Sequence, residues 1–86
     1  MPTISVFYGI VIQMFWQDHN PPHFHALYGE HEAVIDLRDL RLLRGMLPRR
    51  AMVLVLEWAT DHRDELMEDW TLCSQLKSPR PIDPLA

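Results

Sequence analysis

The spacing of apolar side chains changes once along this chain, at Pro48, and that change limits the fold more than any other feature. Before it come short runs rich in β-branched and aromatic residues, Ile4 to Phe7, Ile10 to Trp16, His23 to Tyr28 and Glu32 to Leu37, the signature of strands. After it, Ala51, Leu54, Val55, Trp58, His62, Leu66, Trp70 and Cys73 trace an i, i+3, i+4 stripe, the signature of helices with one buried face. Pro48 suits a first helical turn, where a missing N–H costs nothing. Strands first and helices last describe an α+β domain. The expectation is an N-terminal antiparallel sheet of three or four strands packed against two C-terminal helices, or one kinked helix, with the joint at Thr60–His62. Thr60 or Asp61 is the expected cap of the second helix, with Asp64 and Glu65 in its acidic first turn.

Local signals divide the first half. Ile10 to Trp16 is apolar on both sides, which fits a covered or central strand. Asp18-His19-Asn20-Pro21-Pro22 interrupts the pattern, because two prolines lack N–H donors and Asn20 is pushed out of helical space by Pro21. In the strand that follows, Phe24, Ala26 and Tyr28 alternate with His23, His25 and Leu27. Gly29-Glu30 reads as a hairpin turn, and Ala33, Ile35 and Leu37 alternate with Glu32, Val34 and Asp36 in the returning strand. Residues 38–47 are ambiguous between a short strand and an irregular arm. The sequence divides into one domain over residues 1–77 and a Pro-rich tail over 78–86, expected to be extended or mobile.

With 86 residues, the chain buries only about 60–65% of its unfolded surface, so its stability margin is thin. That size excludes two independent domains and a large enzyme enclosing a cofactor. A formal charge of −4 excludes a general nucleic-acid coat, which needs a positive surface. One cysteine, Cys73, allows no internal disulfide and suggests a reducing compartment. No secretory signal or run long enough for a membrane span is visible, so the expectation is a cytoplasmic protein without a membrane partner.

Four of the five histidines lie between positions 19 and 31. His23 and His25, two apart on a strand, share a face. With Asp18 and His19 they offer a ligand set for zinc or another divalent transition metal. The same pair could exchange protons as general acid and base, or simply hold the Pro-Pro turn by hydrogen bonds to the backbone. Otherwise no cofactor is expected. His62, on the helical stripe, reads as a core histidine.

The charge is divided along the chain. Residues 36–50 carry five arginines against two aspartates, a net +3, whereas 57–69 carry six acids against Arg63, a net −5. Arg49 and Arg50 open the expected helix, where the macrodipole disfavours cations by a few tenths of a kcal/mol up to ~1. They are either tolerated there or, with Arg44, form a site for an anion or a partner's carboxylate. Trp16, just before the Asp18 turn, is the aromatic best placed to line such a site.

These residues resemble a known family. Met1-Pro2-Thr3-Ile4-Ser5, Phe7-Tyr8-Gly9-Ile10, Asp18-His19-Asn20-Pro21-Pro22-His23-Phe24-His25-Ala26, Tyr28-Gly29, Leu47-Pro48-Arg49-Arg50-Ala51, Leu56-Glu57-Trp58, His62, Glu65-Leu66 and Trp70 are similar to a family of small bacterial proteins known as domain of unknown function number 4160. The resemblance implies no activity, catalytic residue or cofactor. It does imply a neighbouring gene encoding a second small protein, in a pairing like that of toxin–antitoxin operons. Members usually carry a glycine-containing hairpin near positions 38–42, which this chain lacks.

Three functions follow as expectations. The favoured one is an interaction or regulatory module that binds the protein encoded beside it, because this asks least of a thin core; a homodimer is compatible with it. The second is a small RNA phosphodiesterase, or an enzyme on another phosphate-containing ligand, with His23 and His25 exchanging protons and Arg49 or Arg50 stabilising phosphate charge. The third is a metal-binding domain built on Asp18, His19, His23 and His25.

Overall fold

A computed structural model describes residues 2–86. Five strands, β1 (Thr3–Phe7), β2 (Ile10–Gln13), β3 (His23–Tyr28), β4 (His31–Asp36) and β5 (Leu42–Gly45), precede two helices, α1 (Arg49–Asp61) and α2 (Arg63–Ser74). The strands form one antiparallel meander in the order β1-β2-β3-β4-β5. The α+β architecture is therefore as expected, with one strand more than the upper expectation.

Alternation decides which side of the sheet meets the helices. Ile12, Ala26 and Ala33 occupy one cross-strand row, and Phe24 pairs with Ile35 beside it; all five are fully buried. The α1 residue Trp58 lies against this side, its indole 5.2 Å from the Phe7 ring and 6.1 Å from that of Phe24. Val55, Ala59 and Leu66 complete the helical side of the core. The opposite row, Gln13–His25–Val34–Arg44, faces away from α1.

The two helices meet at His62, as the stripe indicates. The joint residue itself occupies the cap position of α2 and gives no side-chain cap bond, in place of Thr60 or Asp61. The Thr60 hydroxyl instead donates back to the Leu56 carbonyl at 2.7 Å, so it is spent within α1. His62 is half-buried rather than central to the core. Its Nδ1 lies 2.6 Å from Glu65 Oε1, and its ring lies 5.4 Å from that of Trp58.

The ambiguous segment resolves into a tight turn followed by β5. The Asp36 N–H donates to the Arg41 carbonyl at 2.8 Å, closing the turn. Its carboxylate accepts the Arg38 backbone N–H and the Arg38 guanidinium, at 2.7 and 2.8 Å. Leu40 adopts φ 57°, a left-handed conformation that costs an ordinary residue roughly 1–2 kcal/mol. The Asp36–Arg38 bonds and the packing of Leu40 against the core offset that cost, so the turn forms without glycine. At the far end Gly45, with φ +77°, lies against β4: a Cβ there would sit 2.0 Å from the Glu32 carbonyl oxygen.

The Pro-rich segment has no helix or strand, yet it docks along the core. The Ile82 N–H donates to the Ile4 carbonyl at 2.7 Å, the Trp58 indole N–H to the Asp83 carbonyl at 2.8 Å, and the Arg80 N–H to Asp69 Oδ1 at 2.8 Å. Ile82 itself is buried. Prolines on either side of these N–H groups keep the segment extended while leaving the required donors free. No helix among the described residues is long and apolar enough to cross a membrane.

Candidate metal centre

On the sheet face away from α1, β3 presents His23 and His25, 8% and 3% exposed. The loop ahead of β3 turns back through Asn20-Pro21, joined by a cis peptide bond, and lays Asp18 over both rings. Asp18 Oδ2 is 2.9 Å from His23 Nε2 and 3.4 Å from His25 Nε2. One ligand atom from each of the three residues lies within 4.8 Å of the others.

The far side of each ring is fixed. His23 Nδ1 donates to the Pro21 carbonyl at 2.7 Å; a carbonyl oxygen only accepts, so the nitrogen carries the hydrogen. His25 Nδ1 donates likewise to Glu32 Oε2 at 3.0 Å. In a neutral imidazole the hydrogen then resides on Nδ1, and Nε2 points a lone pair inward. Two such lone pairs and a carboxylate oxygen converge, with no hydrogen among them. Either protons or a cation must stand between these atoms.

Packing holds the rings in place. Phe15 stacks on His25 with centroids 4.1 Å apart at 21°. The Trp70 ring, from α2, lies 5.1 Å from that of His23. Burial pushes the Asp18 carboxyl up, but the His19 N–H at 2.8 Å and, whenever their Nε2 atoms carry hydrogen, the two histidine rings outweigh it and hold it below the ordinary carboxylate range.

The site opens into a cavity of about 430 Å³ lined by Phe15, His19, Val34, Leu43 and Arg44 among others. Both Leu43 and Arg44 line it although they are consecutive, and the register explains why. Val34 pairs with Arg44 and Ile35 with Leu42, so Leu43 is an extra residue. This is a β-bulge, which re-aims the side chains of the strand that carries it.

The structure thus brings together Asp18, His23, His25 and Arg44, with His19 at the cavity wall rather than among the converging atoms. Arg50 lines a different cavity with Tyr8, Tyr28 and Leu54. Arg49 lines neither cavity. Trp16 is also outside the histidine cavity, and its indole N–H donates to the Lys77 carbonyl at 3.2 Å.

Glu32 is the residue that sequence reasoning passed over. Its signal was the length of the Gly29-Glu30 turn. A two-residue hairpin pairs Tyr28 with His31 and His25 with Val34, so Glu32 falls on the histidine face, diagonal to His25. Asp36 falls on that face too, opposite His23, but Arg38 occupies its carboxylate.

Residues 9–71 match a family model described as a domain of unknown function, DUF4160, a span that contains every residue of the converging group. No curated protein and no solved structure matches the chain.

Proposed function

The chain belongs to the DUF4160 family, described as a domain of unknown function, and from that premise we propose that it is a metal-binding module whose ion sits among Asp18, His23 and His25. One observation carries this reading: three acceptor atoms converge while the Nδ1 hydrogens of both rings are committed to Pro21 and Glu32. Donors about 2.1 Å from a common ion stand roughly 3.0–3.4 Å apart in octahedral or tetrahedral geometry; the two Asp18 separations of 2.9 and 3.4 Å fall close to that range, and the two histidine nitrogens, within 4.8 Å of each other, would be drawn to it by the ion. Two nitrogens and one carboxylate oxygen suit zinc or another divalent transition metal and leave coordination positions open. The ion would supply Lewis acidity toward whatever occupies the cavity. The chain supplies the orientation of its ligands. Glu32 and the Pro21 carbonyl fix the tautomer and direction of each ring, a common arrangement around bound metals.

Two imidazolium rings paired with the Asp18 and Glu32 carboxylates would satisfy the same distances. Elemental analysis decides between protons and metal. Untagged protein incubated with zinc and desalted is expected to hold one equivalent, and a chain retaining well under one equivalent overturns the reading.

A second reading rests on β5. All four of its residues are exposed, and Leu42, Leu43 and the adjoining Met46 are 49%, 45% and 64% exposed. An edge strand with bare apolar side chains is a template for strand addition. With Arg41 beside it, the edge suits an extended, acidic segment of a small partner protein, the one expected from a neighbouring gene. Co-expression of the two followed by light scattering should give a stoichiometric complex that Leu42→Asp abolishes. A monomeric elution of both proteins rejects it.

A further inference from the structure

We infer that the metal centre's cavity binds a phosphate group, with Arg44 holding the oxygens that the ion does not. This rests on the metal reading of Asp18, His23 and His25. Arg44 sits two strands from His25 in the same cross-strand row, roughly 10 Å away along the sheet, which is a distance that a small oxyanion and a long guanidinium side chain span together. The bulge at Leu43 is what brings Arg44 to the cavity wall. Among the described residues Arg44 makes no ion pair, in common with Arg49, Arg50 and Arg63, whereas Arg38, Arg41 and Arg80 each do; of the four unpaired arginines Arg44 is the one that lines this cavity. A guanidinium left without a carboxylate at the mouth of a site with open coordination positions is suited to an anion's fork of oxygens.

The remaining polar wall selects among anions. Asp18 and Glu32 offset a divalent ion's charge, so the cavity's surplus positive charge resides in Arg44. His19 and Asn20 also line the cavity and bring further donors. A carboxylate has two oxygens, and one on the metal and one on Arg44 use both. A phosphate has oxygens left for His19 and Asn20. The shared chemistry fits both the free anion and a phosphate ester.

The test is calorimetric titration of the zinc-loaded full chain with inorganic phosphate and, separately, with a nucleoside 5′-monophosphate. Zinc content is measured first. Wild type is expected to bind at least one of the two. Arg44→Met should weaken that binding by about tenfold or more, the loss of a charge-assisted contact, at unchanged zinc content. Arg49→Met removes the same charge outside the cavity and should bind as wild type does. Tighter binding of the ester identifies an esterified ligand, and tighter inorganic phosphate the free anion. Equal affinities for wild type and Arg44→Met overturn the inference, as does a zinc-loaded wild type that binds neither probe. A chain that takes up no zinc overturns the metal reading and this inference with it.

Discussion

Asp18 Oδ2 lies 2.9 Å from His23 Nε2, although both atoms act as acceptors when the ring is neutral and Nδ1 donates to Pro21. That pairing is the centre of the proposed metal site. It is made by a short loop whose two prolines limit the conformations the loop can take, so that little conformational freedom has to be lost when the carboxylate is placed. His25 joins through the same oxygen, and Glu32 supports it from behind.

Glu32→Gln is expected to weaken zinc binding by about 10–100-fold, the usual effect of a group that orients a ligating histidine. Asp18→Asn and His25→Ala remove a ligand and should lower affinity further. Competition against a chromogenic chelator measures all three. Equal zinc affinity for Glu32→Gln and wild type would mean that the Glu32 contact does not support the ligand. Zinc should also raise the unfolding temperature of wild type, because folding is what brings Asp18, His23 and His25 together and so the folded chain binds it more tightly, and should leave that of His25→Ala nearly unmoved.

Gly45→Ala is expected to detach β5. The added methyl would meet the Glu32 carbonyl oxygen at 2.0 Å, and the positive φ adds strain of its own. A loss of ~3 kcal/mol, at the upper end for single substitutions, should appear in urea denaturation. Faster amide exchange should be confined to β4 and β5. Wild-type stability in this variant would refute the close approach.

The docked tail is expected to be part of the folded unit. Ile82→Ala removes a side chain 4% exposed and should cost about 2 kcal/mol. Trp58→Phe keeps most of the packing but frees the Asp83 carbonyl, at about 1 kcal/mol. A tail that hangs free in solution would make Ile82→Ala silent in thermal unfolding.

Two buried carboxylates should respond oppositely to acid. The Arg38 guanidinium beside Asp36 outweighs burial and holds its carboxyl low. Asp36 therefore stabilises the fold above the unfolded carboxylate pKa of about 3.9, and that contribution is lost as pH falls through its lowered folded value. Burial pushes Asp69 up, with Glu68 and Glu65 adding to it against the Arg80 N–H, and its Oδ2 has no hydrogen-bond partner. Its contribution is fully present below the unfolded pKa and is lost as pH rises through the raised folded value. Asp36→Asn should thus destabilise at pH 7 and approach wild type in acid. Asp69→Asn, which keeps an acceptor for Arg80, should stabilise at pH 7 and lose that advantage in acid. Unfolding midpoints from pH 3 to 7 check both signs.

Much of the fold follows from local spacing. The alternation through β3 and β4, the stripe from Ala51 to Cys73 and the proline at position 48 set the order of elements, because each reports which side chains one element can bury together. The same alternation placed His23 and His25 on one face, and the Pro-Pro loop placed Asp18 nearby in sequence. Two features depended on the assembled structure. The turn before β5 has a left-handed leucine, which only the Asp36–Arg38 bonds and core contacts sustain, so no glycine marked it. Arg44, rather than Arg49 or Arg50, lines the histidines' cavity because a bulge and sheet register act across three strands, whereas the start of α1 is carried away from that face by Trp58 packing on Phe24. Local spacing was enough to order β1 to β4 and the two helices and to put both rings on one face, since these depend on neighbours a few residues apart. Strand β5 and the charged group that shares the rings' cavity came from register and packing between segments distant in the chain.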